Sequence, residues 1–153
     1  MIKQNFLIII SLLFLSACGD EQNKIQPLTI EKADGTTIAM TAETAETASE
    51  QMRGLMNVTH MPEKHGMLFV FDDSKFRSFW MKNTLIPLDM IFINSKGVIG
   101  HIHHHANPND LSGVPSEIPA MYVLEINGGL SAKWGIAIGD KVFHDKIKRT
   151  LAE

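Results

Sequence analysis

The residues best suited to chemistry fall into two groups. The first is Trp80-Met81-Lys82-Asn83-Thr84 running through Pro87 to Asp89, where an indole, an ammonium, a carboxamide and a carboxylate lie within ten positions. Strand alternation puts Phe79 and Met81 on one face and Trp80 and Lys82 on the other. Trp80 can then stack on a sugar ring or an apolar ligand, with Lys82, Asn83 and Asp89 as polar contacts. The same residues also suit a plain turn, in which Asn83 and Thr84 satisfy backbone groups, Lys82 pairs with Asp89 and Trp80 enters the core. Arg53 offers a further ligand contact, or an ion pair with Glu50.

The second group is Gly100-His101-Ile102-His103-His104-His105. In a regular strand His101, His103 and His105 share a face with neighbours about 6.5–7 Å apart. Two imidazoles at that separation can hold Zn²⁺ or a copper ion, with His60 or His65 completing the site. Met52, Met56, Met61, Met67, Met81, Met90 and Met121 are soft donors suited to Cu(I), although their helix and strand spacing also fits core filling. The competing role for the histidines is a solvated edge strand. Covalent catalysis finds no support: no Gly-x-Ser-x-Gly elbow, Gly-rich phosphate loop or His-Glu-x-x-His pair is present.

The single cysteine, Cys18, has a separate role. It ends Leu15-Ser16-Ala17-Cys18, directly after the apolar run Phe6 to Leu15. That run is about half the ~20 residues a spanning helix needs and fits a signal-peptide core. The segment resembles bacterial lipoprotein signals, which implies cleavage before Cys18 and acylation of its sulfur. Residues 1–17 are then a signal peptide, 18–27 a lipidated cysteine with a polar tether, and 28–148 the domain. Two or more acyl chains give stable membrane attachment where one is marginal. Lipidation consumes the only thiol, leaving no disulfide or thiolate chemistry. By the same resemblance, Gly19 rather than Asp after the cysteine implies the periplasm-facing outer membrane.

These chemical groups need elements to carry them. Leu28–Lys32 and Thr36–Met40 flank Asp34-Gly35, a strong hairpin signal. Thr47-Ala48-Ser49-Glu50 fits a capping box opening a helix over 48–56. Met67–Phe71 reads as a strand buried on both faces. Further strands are expected at Phe76–Met81, Leu88–Asn94, Val98–His105, Ala120–Ile126 and Lys141–Phe143. A helical turn is expected at Leu130–Trp134, and a long loop over 106–119. The expected fold is a β-rich α+β single domain, mostly antiparallel, forming a closed or partly closed barrel with two short helices. Its net charge of −3 gives no electrostatic case for nucleic acid.

Several blocks occur together in one order: Arg53-Gly54-Leu55-Met56, Gly66-Met67-Leu68-Phe69, Phe79 to Thr84 with Ile86-Pro87-Leu88-Asp89, Tyr122-Val123-Leu124-Glu125, and Gly135-Ile136 with Gly139-Asp140. Through them the chain resembles the bacterial and archaeal family called domain of unknown function 192, over about residues 40 to 143. The resemblance implies a β-rich fold, often behind a secretion or lipoprotein signal, and brings no activity with it. The expectation is a lipid-anchored envelope protein that binds a small molecule, an envelope polymer or another protein. Metal binding through the histidines and an enzyme built on Lys82 to Asp89 are the alternatives. Glu125 reads as a paired strand residue, since one carboxylate far from any other establishes no acid/base pair.

Overall fold

The computed structural model describes residues 24–147; Cys18 and the leader lie outside the described residues. Asp34-Gly35 turns the chain between β1 (Ile25–Glu31) and β2 (Thr37–Ala45). The Asp34 carboxylate accepts from the Thr36 backbone N–H and hydroxyl, and Gly35 takes the left-handed conformation, φ +81°, that its missing Cβ permits. Pairing extends to Ile25↔Glu43, so β1 begins three residues before the expected strand and takes Ile25, Gln26 and Pro27 out of the tether.

Thr47 caps α1 (Ala48–Arg53) through the expected capping box. The helix stops sooner than expected, because Gly54 takes φ +46° and none of its six residues is buried, leaving no packed apolar face to prolong it. Glu50 accepts from the backbone N–H groups of Glu46 and Thr47 and pairs with Lys24. Lys24 therefore brings the start of the described chain against α1. The helix bridges β2 to β3 (His65–Lys75), and these strands pair in parallel from Thr41↔His65 to Ala45↔Phe69.

The remaining elements are β4 (Ser78–Phe79), β5 (Leu88–Ile93), β6 (Ile99–Ala106), β7 (Val114–Pro115), β8 (Ala120–Asn127), α2 (Leu130–Trp134) and β9 (Lys141–Phe143). Seven strands form one sheet in the order β6-β5-β8-β3-β2-β1-β9. Its two edges meet through the bridge Val98↔Lys141 and the hydrogen bonds Ile99 N–H to Asp140 O and Val142 N–H to Gly97 O. The sheet is thus curled into a partly closed barrel. Apart from β2 with β3, its paired strands are antiparallel.

Alternation divides the apolar residues between two cores. Leu28, Ile30, Leu68, Ile91, Tyr122, Leu124 and Ile126 pack in one cluster; Met67, Phe69, Met90, Phe92 and Val123 form the other, with Leu55, Met61 and Met81 from the connecting segments. All six residues of β5 are buried, and each large apolar side chain so placed contributes roughly 1.5–3 kcal/mol.

Two expectations about the covering segments change. The strand expected over Phe76–Met81 contracts to Ser78–Phe79, which pairs with Val114–Pro115 inside the expected loop of 106–119. Ser116 enforces this: its hydroxyl donates to Ile118 O and accepts from Arg77 N–H, while its own N–H reaches Arg77 O. Beyond β4, Met81 N–H donates to Asp110 O and Asn83 turns left-handed at φ +54°, so the strand cannot continue. Loop and short strand together cover the second core. No helix among the described residues is long and apolar enough to cross a membrane.

Candidate functional site

Between α1 with its following turn and the β4 segment lies a cleft of about 420 Å³, a size that suits small organic ligands. Aromatic packing builds its wall. Phe79 meets Phe69, Phe71 and Phe92 edge to face, with ring centroids 5.1, 6.4 and 5.9 Å apart. On the helix side Gly54 lets the backbone lie on Phe69, where a Cβ would stand 3.1 Å from the ring. Such rings resist displacement, because edge-to-face pairs add about 0.5–1.5 kcal/mol beyond area burial.

Glu125 lies at this cleft. It belongs to the central strand β8, opposite Met67 of β3 and Met90 of β5. The alternation that sends Leu124 and Ile126 into the first core sends Glu125 toward the second, where it is 4% exposed. Gly66 permits the close backbone approach of β3 here, since a Cβ would fall 2.6 Å from Glu125 O. The Glu125 side chain has no hydrogen bond or ion pair among the described residues, and burial pushes its carboxyl up to about 8. At neutral pH it is a protonated acid that can donate one hydrogen bond and accept others.

Sequence reasoning took Glu125 for a paired strand residue, and pairing is what it lacks. A signal was available: in Tyr122-Val123-Leu124-Glu125-Ile126 a single acid interrupts a continuous apolar run, where a buried strand calls for another apolar side chain.

Of the residues singled out from sequence, Arg53, Trp80 and Lys82 line the cleft. Arg53 is exposed and makes no ion pair with Glu50, whose carboxylate is engaged by Lys24 and the cap. Trp80 is 48% exposed rather than core. Lys82 Nζ stands 5.1 Å from the Trp80 ring centroid, within cation–π range. Arg77 also lines the cleft, over the Phe71 ring and paired with Asp73 at 2.8 Å. Asn83 is not among the lining residues; its carbonyl accepts from Asn57 N–H at 2.8 Å and fixes a turn.

Asp89 also stands apart from the cleft, and it does not pair with Lys82. Fully buried, it accepts from His105 N–H at 2.7 Å and Gly129 N–H at 2.9 Å through Oδ1. Through Oδ2 it accepts from Ser131 N–H at 2.8 Å and the Ser131 hydroxyl at 2.6 Å. Burial works to raise its pKa, but these donors, the Ser131 hydroxyl foremost among them, prevail and hold it below the ordinary carboxylate value. Asp89 is thereby a tie between β5, the end of β6 and the start of α2.

His101 and His103 keep the expected alternation, opposite Phe92 and Met90, but His105 leaves it. A register shift between Leu88↔Ala106 and Met90↔His103 marks a bulge, and His105 turns left-handed at φ +55°. His101 stacks on Phe92 at 5.7 Å, and His104 Nδ1 lies 2.8 Å from the Ser131 hydroxyl. Because that hydroxyl donates to Asp89, His104 Nδ1 is assigned as the donor in this contact. His65 Nδ1 meets Thr41 Oγ1 at 2.8 Å. Among the described residues no three or more His, Cys, Asp or Glu side chains gather as a metal site. Met61, Met67, Met81 and Met90 are buried in the second core, whereas Met52 is exposed at the cleft.

No curated protein matches the chain. A solved structure from Sinorhizobium meliloti 1021, of a protein proposed to be a transcription regulator, is 38% identical with a TM-score of 0.78, covering 80% of this chain and 95% of its own. A protein of unknown function from Novosphingobium aromaticivorans DSM 12444 is 40% identical with a TM-score of 0.75, covering 78% and 85%. The family model of DUF192, described as an uncharacterized ACR, matches residues 29–144. That span runs from β1 to just past β9 and includes both the cleft and the Asp89 tie: the chain belongs to the DUF192 family.

Proposed function

We propose that this domain is a binding module for a small organic ligand, held at the bacterial cell envelope by lipid on Cys18. One observation carries the binding reading: Glu125, a buried acid without a partner, at a cleft walled by aromatic rings. Its carboxyl opens on the cleft in a largely desolvated setting, where a ligand group that pairs with it gains a hydrogen bond worth roughly 0.5–1.5 kcal/mol. Binding is favoured over catalysis because, among the described residues, Glu125 is the one carboxyl at the cleft and no imidazole lines it to complete an acid/base pair. The Sinorhizobium relative is described as a proposed transcription regulator, and this chain's net charge of −3 gives no electrostatic support for binding nucleic acid.

The anchor rests on the run Leu15 to Cys18 and its apolar leader. Contact of Lys24 with Glu50 brings the chain beside α1, one wall of the cleft. On this reading the periplasm-facing outer membrane presents the site close to the bilayer.

Two measurements test the two parts. Wild-type protein is expected in the membrane fraction with an acylated N-terminus, and Cys18→Ser is expected without the acyl mass and released from the bilayer; unchanged attachment and mass overturn the anchor. Native mass spectrometry of protein isolated from its own cells is expected to carry a non-covalent small-molecule adduct that Glu125→Leu loses. An adduct that survives this substitution, or none in the wild type, overturns binding at this cleft.

A further inference from the structure

We propose that the ligand is an organic anion with a flat apolar body, its charged group at Arg53 and Lys82 and a neutral hydrogen-bonding group directed to Glu125. The inference rests on the cleft being the binding site and adds the class of ligand. Three zones of the cleft define it.

The first zone is cationic. Three cations line the cleft, and Arg77 is already engaged by Asp73, which it shares with Lys75. Arg53 and Lys82 are exposed and make no ion pair among the described residues. A carboxylate, sulfonate or phosphate placed between them gains charge-assisted hydrogen bonds. A cationic ligand meets like charge at the entrance.

The second zone is apolar and aromatic. Phe69, Phe71 and Phe79 form the wall, and Met52, Phe76 and Trp80 stand 70%, 73% and 48% exposed around it. Large apolar side chains clustered in the open are unusual for a surface with no partner. Aromatic faces favour a planar body over a branched one.

The third zone is Glu125, whose carboxyl burial keeps neutral at neutral pH. It suits a hydroxyl, amide or carbonyl better than a second anion. Met67 and Met90 face it from the adjoining strands, and the charged groups sharing its cleft are Arg53, Arg77 and Lys82.

The test uses two dyes differing by one sulfonate group: 1-anilinonaphthalene-8-sulfonate and the uncharged 1-anilinonaphthalene. The folded wild-type chain is expected to bind one sulfonate dye per molecule, about tenfold or more tighter than the neutral dye. The double substitution Arg53→Glu with Lys82→Glu, both exposed, is expected to abolish that preference. Sulfonate-dye affinity is also expected to fall as pH rises through about 8 in the wild type and to stay level in Glu125→Gln. Equal affinity for both dyes, or a preference that survives the double substitution, overturns the anion class and leaves the cleft as a binding site. Failure of both dyes to bind overturns class and cleft together.

Discussion

Glu125→Gln raises the free energy of unfolding at pH 8 by about 3–5 kcal/mol. The gain comes from a proton. Burial holds the folded carboxyl near 8 against an ordinary value of 4.5, so at intermediate pH the folded domain keeps a proton that the unfolded chain has released. The sign follows: this stability is fully present below about pH 4.5 and is lost as pH rises through about 8. Each pKa unit corresponds to about 1.4 kcal/mol, so the whole window is worth several kcal/mol. The carboxamide of Gln has nearly the same shape and never ionises. Urea unfolding at pH 4, 6 and 8 should show the wild-type midpoint falling progressively below that of the variant. A gap that does not grow with pH would mean that Glu125 ionises freely, and it would remove the chief argument for the cleft. A residue whose replacement stabilises the domain is one whose presence needs a reason other than folding.

Asp89→Ala acts in the opposite direction and destabilises the domain by roughly 3–5 kcal/mol. Alanine leaves the N–H groups of His105, Gly129 and Ser131 without their acceptor. It also frees the Ser131 hydroxyl that links Asp89 to His104. Asp89→Asn costs less, because a carboxamide oxygen keeps one side of the network while its NH₂ faces donors on the other. Asp89 has a lowered pKa when folded, so its stabilising effect is present above the ordinary carboxylate value and is lost as acid takes the pH down through the folded one. Asp89 thus contributes to acid unfolding beside the other carboxylates that folding holds low and His144, whereas the alkaline decline comes from Glu125. Equilibrium unfolding checks the magnitude, and a loss under about 1 kcal/mol would show that water replaces the carboxylate.

What could be read in advance was local. Asp34-Gly35 and the Thr47–Glu50 box are complete within a few residues, and both the first hairpin and the start of α1 follow from them. Trp80 and Lys82 were visible for the same reason, since their alternation with Phe79 and Met81 is a property of one short segment. Asp89 attracted notice in the same block, but its partners lie 16, 40 and 42 positions away, and no local pattern reveals a bond of that span. The short strand Val114–Pro115 was hidden likewise, because its pairing with Ser78–Phe79 depends on Ser116 reaching Arg77. Glu125 is the sharpest case. Its sequence position was noticed, yet its chemistry comes from having no partner, a property of the assembled fold.

The bulged end of β6 has a meaning for how these molecules behave in a crowd. A barrel that closes through so few bonds leaves most of its outer strand with unused backbone groups, an invitation for a second chain to add a strand. Here that strand carries imidazoles at His101, His103, His104 and His105, and its final residues bend away at the left-handed His105. An incoming chain would find a short, polar and crooked template, which disfavours the flat, apolar pairing that leads to fibrils. In three dimensions the histidine run gives this edge a polar, bent surface poorly suited to strand addition by a neighbouring copy.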